Sequence, residues 1–193
     1  GDEKVRHGNE RVLRARLENA GFFWEEDLRR PIGDRVDDLK RVTFQEHLGS
    51  LHDKMERVRS LAVNLAEGLA FAPPKVAHTA RAAELAKADL TTQMVHEFAE
   101  LQGTMGKLYA LHAGEPQEVA DAVEQHYLPD AADADLPASD IATVVSLADK
   151  IDTIVGYFGV GQIPTGSADP YSLRRHAISV CRILLDKGMD IDL

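Results

Sequence analysis

Asp149 and Asp152 stand three residues apart in a stretch of helical spacing, so their carboxylates share one face and could act as an acid–base pair. Lys150 lies between them, and the simpler reading is a solvated face of ion pairs. A glycine-rich loop follows, with Gly156, Gly159, Gly161 and Gly166, where a helix is expected to have ended near Val155. Gly159 and Gly161 suggest a turn that cradles phosphate. However, Pro164 occupies the place of the third glycine of GxGxxG and no GK[ST] follows, so the loop reads as a connection between helices. Asp169-Pro170 then suits a helix start, the aspartate as cap and the proline at the first position. The helix it opens carries Arg174, Arg175 and Arg182. Arg175 and Arg182 are seven apart and share a face. Guanidinium groups beside the free N–H groups of a helix start form an anion site, and a phosphate chain is the ligand that chemistry fits.

Other candidates are weaker. Eight histidines invite a metal, yet His47 and His52 are five apart and do not share a helical face. No HxxxH pair occurs, and Cys181 is the single cysteine, so no metal site is expected. His52-Asp53 is a literal His-Asp pair at the edge of an apolar stripe. Ser167 belongs to no triad that spacing can place. Cys181 lies between Ala177 and Leu184 in an apolar helical run and is expected to be a buried thiol in a reducing compartment.

The elements that must position these groups are helices. Apolar residues Val36 and Leu39, and then Leu48, Leu51, Met55, Val58, Ala62, Leu65 and Leu69, step by three and four, with Gly49 a possible break. Lys54, Arg57 and Arg59 fall off this stripe and read as a solvated face. Pro73-Pro74 restarts the chain into a helix expected from about Lys75 to Phe98. Further helices are expected from Pro116 to Tyr127, after a Ser139 cap, and from Pro170 to Lys187 with Gly188 as its stop. At the start, Asn9 is expected to cap a short helix closed by Gly21. Phe22, Phe23 and Trp24 then read as an anchor into the core, or else as a base-stacking platform. Pro31-Ile32-Gly33 is a turn, and a helix is expected to start at Asp34. No stretch shows a period of two. The fold class expected is all-α, an irregular bundle of about seven helices, with residues 1–33 connecting and 34–193 as the helical domain.

Composition narrows the function. The net charge of −10 over 193 residues excludes a general nucleic-acid binder, so any RNA contact must use a local basic patch. No apolar run reaches eighteen residues and GDEKVRHGNE is not a signal peptide, so a cytoplasmic protein without a membrane partner is expected. The chain opens on Gly1 and closes on Ile191-Asp192-Leu193, and we expect a fragment of a longer polypeptide.

Several stretches carry a resemblance. GNERVLRARLENAGFFWEEDLRRPI, FQEHLGSLHDKMERVRSLA, AAELAKADLTTQMVHEFAELQGTMGKLYA, HYLP, LADKIDTIVGYFGVGQIPTGSADPYSLRR and LLDKGMDIDL, in this order, resemble the β subunits of the bacterial heterotetrameric glycine–tRNA ligases. The resemblance covers nearly the whole chain. It implies a class II ligase of two α and two β subunits, in which α uses ATP and magnesium to make glycyl-adenylate and β binds tRNA-Gly. No cofactor is implied for this stretch itself. Its partners would be tRNA-Gly, the α subunit and the rest of β.

The same resemblance points to an HD domain, whose metal site follows the order His … His-Asp … Asp. The first helix of that family reads HxxRV. Arg57 and Val58 fill its last two places and put Lys54 where the first histidine belongs. The His-Asp pair falls on Ala88-Asp89 and the last aspartate on Asp149. With two ligands replaced, phosphohydrolase chemistry is not expected, and the Lys54 ammonium could pair with Asp89 or Asp149. Three readings stand: an RNA-binding domain that does no catalysis, a purely structural docking domain, and an active phosphohydrolase. For the first, the RNA candidates are Lys54, Arg57, Lys150, Arg174, Arg175 and Arg182, with the tRNA acceptor arm as the implied target.

Overall fold

The computed structural model describes residues 2–131, 133–165 and 169–191. These form eight α-helices: α1 (Asp2–Leu28), α2 (Leu51–Gly68), α3 (Pro73–Leu85), α4 (Gln93–Glu97), α5 (Thr104–His112), α6 (Gln117–Gln125), α7 (Asp140–Gly159) and α8 (Leu173–Lys187). Short 3₁₀ segments at Ile32–Arg41, Ala88–Thr91 and Ala99–Leu101 link them. A small antiparallel hairpin, β1 (Thr43–Gln45) with β2 (Gly49–Ser50), precedes α2 and pairs Thr43 with Ser50. The helical class is as expected. The hairpin is not, because its strands are too short for a period of two to register.

α7 is the axis of the bundle and packs against α2, α3, α6 and α8. Its ten residues from Ile141 to Lys150 are all buried. Ten consecutive residues face every direction round the helix, with Ile141, Val144, Val145, Leu147 and Ala148 on one side and Thr143, Ser146, Asp149 and Lys150 on the other, so this part of α7 is enclosed on all sides. Ser139 caps it as expected, its hydroxyl accepting from the Ala142 N–H at 3.1 Å. The facing core comes from Met55, Val58 and Ala62 of α2, Ala82, Ala83 and Leu85 of α3, and Val119 and Val123 of α6.

Several expected boundaries move. The stretch from Lys75 to Phe98 is three pieces, α3, Ala88–Thr91 and α4, and α3 already starts at Pro73. Asp34 lies inside the 3₁₀ segment that begins at Ile32. α7 runs past Val155 to Gly159, so Gly156 is helical. A side chain at Gly156 would meet Leu48 Cδ1 at 2.9 Å, so this glycine serves the close approach of the hairpin. Gly161 takes φ +76°, the one described glycine of that loop in the left-handed region, whereas Gly166 and Ser167 lie outside the described residues.

α1 is one helix of 27 residues, and Asn9 and Gly21 are interior to it. Every described side chain from Val5 to Asn19 is exposed. The last two turns reach the core, where Trp24 stacks on Tyr109 with ring centroids 5.2 Å apart, so the anchoring role expected of the aromatic cluster falls to Trp24 and Phe23, while Phe22 is exposed. Asp27 is buried below Trp24. It accepts from the Gln93 and Met94 N–H groups at 3.0 and 2.9 Å, from the Tyr109 hydroxyl at 2.9 Å and from Arg35 at 3.3 Å. One carboxylate thereby starts α4 and ties α1 to α5.

α8 begins three residues later than Asp169-Pro170 suggests. Asp169 still caps it, its two carboxylate oxygens accepting from Leu173 and Arg174 N–H at 2.8 and 2.9 Å. Left-handed Ser172 supplies the extra turn, and Gly188 ends the helix in the left-handed conformation, as expected. The expectation for Cys181 is overturned. α8 buries Leu173, Ser179, Val180 and Ile183, and this register leaves Ala177, Ile178, Cys181 and Leu185 exposed. Cys181 should therefore react completely with a thiol reagent without denaturant; labelling that needs unfolding would show this face covered in solution.

Candidate functional site

The polar centre of the bundle is built where α2 crosses α7. A capping box starts α2: Ser50 Oγ accepts from Asp53 N–H at 3.2 Å, and Asp53 Oδ2 accepts from Ser50 N–H at 2.8 Å. Asp53 of the His52-Asp53 pair is thus spent on a cap. The next residue, Lys54, points inward and is 3% exposed, which corrects its reading as a solvated side chain. Its ammonium lies 2.9 Å from Asp149 Oδ1. It donates to Thr153 Oγ1 at 2.8 Å, the Asp149 carbonyl at 3.1 Å and Asp152 Oδ2 at 3.2 Å. Arg57, one turn on, grips Asp152 with Nε and Nη2 at 2.7 and 3.2 Å and reaches the Leu48 carbonyl at 3.1 Å. Of the two partners expected for Lys54, Asp149 is the one taken.

A second ammonium meets the same carboxylate. Lys87, in the break between α3 and Ala88–Thr91, lies 3.2 Å from Asp149 Oδ2 and over the Tyr127 ring at 3.8 Å. Burial pushes the Asp149 carboxyl up, but Lys54 and Lys87 outweigh it and hold it well below the usual carboxylate range. Burial drives Lys87 down despite Asp149, and neighbouring Lys54 adds to the fall. Lys150 is 2% exposed and points the other way along α7. It donates to the His126, Tyr127 and Leu128 carbonyls at 3.2, 3.2 and 3.0 Å and to Ser146 Oγ at 2.8 Å. Burial lowers it to about 8. The Asp149–Lys150–Asp152 run is therefore an internal network, which corrects its reading as a surface face.

Asp89 and Ala88 are fully buried. Asp89 Oδ2 accepts from Gly103 and Gly106 N–H at 2.6 and 3.2 Å and so starts α5. A side chain at Gly106 would sit 2.8 Å from Val123 Cγ1 and 3.1 Å from Asp89 Oδ2, so glycine is required there. Burial raises the Asp89 carboxyl against the pull of those N–H groups. Among the described residues no three His, Cys, Asp or Glu side chains converge as metal ligands.

A cavity of about 290 Å³ opens beside this cluster, lined by Lys54, Lys87, Asp149 and Lys150 together with Tyr127 and His176. Phe44 of the hairpin also lines it, lying beneath the Lys54 ammonium and edge-on to Tyr157. Burial lowers His176 to about 4, with Asp149 opposing and Lys150 assisting. His126 is buried, with Nδ1 2.7 Å from the Val123 carbonyl, and burial holds it well below its ordinary value. Sequence reasoning missed Lys87, Tyr127, His126 and His176. The signal within reach was α7 itself, where Thr143, Ser146, Lys150 and Thr153 step by three and four as a polar stripe on a helix whose other residues are apolar enough to be buried, so its charged residues had to find partners inside.

The arginines of α8 lie apart from this centre. Arg174 is exposed. Arg175 donates to Ser172 Oγ at 2.6 Å and to the Asp130 carbonyl at 3.4 Å. Arg182 donates to the Ala131 and Ala134 carbonyls at 3.2 and 3.0 Å, bracing the loop before α7. Of the six basic residues read as RNA candidates, Lys54 and Lys150 keep their charges inside. Arg57 is 39% exposed in its side chain, and it and the three α8 arginines reach the surface.

Comparison with known proteins gives this arrangement a family. A match to the glycyl-tRNA synthetase beta subunit family extends over residues 1–193. The chain belongs to that family. A curated glycine–tRNA ligase beta subunit of Geobacter sulfurreducens is 57% identical over 186 residues, 96% of this chain and 27% of the relative. One from Trichlorobacter lovleyi is 56% identical over 98% of the chain and 27% of the relative. One from Desulforudis audaxviator is 51% identical over 98% and 28%. The chain thus spans about a quarter of the length of these beta subunits.

Two expectations follow. Asp149→Asn leaves the buried Lys87 ammonium without its carboxylate and Lys54 with Asp152 alone, and should destabilise the fold by about 3–5 kcal/mol in urea unfolding. The second concerns pH. The unfolded chain binds a proton on His176 near 6.5, while the folded chain does so only near 4, so stability is full above 6.5 and falls as pH drops between the two. Melting temperature should decline from pH 7 to 5, and His176→Gln should flatten the decline.

Proposed function

We propose that this chain is an HD-like, tRNA-binding part of a glycine–tRNA ligase beta subunit. In this reading it supports ATP-dependent attachment of glycine to tRNA-Gly in the cytoplasm. Adenylate chemistry, with its ATP and magnesium, belongs to the α subunit. The carrying observation is the identity of more than half of its residues with curated beta subunits over nearly the whole chain. Lys54 stands where the HD pattern has its first histidine, and its ammonium fills the space beside Asp149. A fixed positive charge there opposes a metal cation, which supports a domain without hydrolase activity.

The RNA surface in this reading is the start of α8. Arg174 is exposed beside Arg175, the Asp169 cap orders the first turn, and Arg57 lies at the edge of the neighbouring ion-pair cluster. On a chain of net charge −10 this is a local basic exception that would steer a phosphate backbone to one place. A docking role has its own support, since Arg175 and Arg182 brace a loop, and α1 and α8 expose Leu17, Ile178 and Leu185.

The two separate in kinetics. Arg174→Ala with Arg175→Ala in the whole ligase should raise KM for tRNA-Gly and leave the glycine and ATP parameters near wild type. The salt slope of tRNA binding should fall by roughly one for each phosphate that the arginines no longer neutralise. Unchanged tRNA kinetics with a lowered melting temperature would assign these arginines to docking and structure.

A further inference from the structure

The three ammonium groups around the 290 Å³ cavity are not equally satisfied. Each has three N–H donors. Lys54 has four oxygens within 3.2 Å, and Lys150 has four of its own. Lys87 is 7% exposed, yet Asp149 Oδ2 at 3.2 Å is the one oxygen that its ammonium meets among the described residues; its other neighbour is the face of Tyr127. The Tyr127 hydroxyl is also buried with no hydrogen-bond partner among the described residues. Both residues line the cavity, with His176 and Gln102. Three ammonium groups against one carboxylate make the lining cationic, and burial already drives Lys87 and Lys150 toward losing their protons. Such a lining wants an anion that brings acceptors for Lys87 and Tyr127.

A second cavity selects the size of that anion. A vestibule of about 850 Å³ shares Gln102, Tyr127, Lys150, Tyr171 and His176 with the inner one. Its remaining wall includes Glu100, Glu124, Asp130 and Asp135, with Arg175 the one arginine among the described residues. An acidic mouth repels a polyanionic strand, while a compact ligand with a single phosphate meets less opposition before it reaches the ammonium groups.

The geometry points to a binding site for a small phosphate, inorganic or carried by a mononucleotide, with its oxygens on Lys87 Nζ and the Tyr127 hydroxyl and any nucleoside in the vestibule. Its vestibule shares Arg175 with the proposed RNA surface, but the phosphate contacts, Lys87 and Tyr127, lie off α8. It needs neither the ligase activity nor a metal.

The test is titration of the protein with inorganic phosphate and with adenosine monophosphate, at fixed ionic strength set by chloride, read by calorimetry and by melting temperature. Saturable binding of one phosphate per chain, with a rise in melting temperature, is expected for both. Equal affinities would place recognition in the phosphate alone. Tighter binding of the nucleotide would add the vestibule, and either result supports the site. Lys87→Met should weaken binding by roughly ten- to a hundredfold, as expected when one charge-assisted hydrogen bond is removed. Tyr127→Phe removes only a hydroxyl and should weaken binding by several-fold, which keeps the test open if Lys87→Met does not fold. Amine-directed labelling of Lys87, followed by peptide mapping, should slow in the presence of phosphate. No saturable binding to the wild type, or binding that both variants leave unchanged, would overturn the site. So would a short oligoribonucleotide that protects Lys87 as well as the mononucleotide does, because the pocket would then accept a strand.

Discussion

A charge removed from water has to be answered by another group of the protein, and in this chain that requirement is concentrated on Asp149. Two ammonium groups, from α2 and from the break after α3, converge on one carboxylate of α7. Three segments distant in sequence are thereby fixed against each other. Hydrophobic contact alone would allow α2 to slide along α7, because Met55, Val58 and Ala62 meet a surface of similar small and branched side chains. The ion pairs admit one register. Lys54 reaches Asp149, Asp152 and Thr153 together only when its turn of α2 faces their turn of α7. Arg57 then falls on Asp152 and the Leu48 carbonyl, and the hairpin is drawn over the cavity.

The same logic explains which parts of the structure were legible in the sequence. Helix identity was, because three-and-four spacing is a local property. Caps were also legible where a single residue does the work, as at Ser139, Asp169 and Gly188. What stayed hidden was burial of charge. Lys54 stands three residues after Leu51 and four before Val58, on the buried face of its own helix, and only its residue type hid that, since its carboxylate partner is nearly a hundred residues away. Cys181 failed in the opposite direction. It is apolar in character and sits among apolar neighbours, yet Val180 and Ile183 set the buried face of α8 and turn it outward. The family resemblance located Lys54, Ala88, Asp89 and Asp149 as related positions, and the structure places Lys54 against Asp149 while Asp89 serves the start of α5. Lys87 carried no motif at all. It emerges only when the chain between α3 and α4 is seen to break.

Acidic residues also act as organisers of helix starts throughout the molecule. Asp27, Asp53, Asp89 and Asp169 each accept from backbone N–H groups, those of Asp27, Asp89 and Asp169 at the beginning of a helix. They satisfy donors that a helix leaves free and sit at the positive end of its dipole. Part of the acidic composition is therefore internal architecture, but buried Asp27, Asp89 and Asp149 are matched by buried Lys54, Lys87 and Lys150, so the surface keeps the acidic balance and a basic patch on it stays a local exception.

α1 gives the molecule a mechanical asymmetry. A helix of 27 residues is about 40 Å long, and its outer half stands clear of the bundle, held at one end by Trp24 and Asp27. It is a cantilever with its fulcrum at a single buried carboxylate. Whatever bends the free end applies torque at Asp27, and the first structures to feel it are the Gln93 and Met94 amides, the opening turn of α4, and the Tyr109 hydroxyl on α5. Both helices contact the Ala88–Thr91 segment next to Lys87. A grip on the far tip of α1 thus has leverage on the polar centre without touching it.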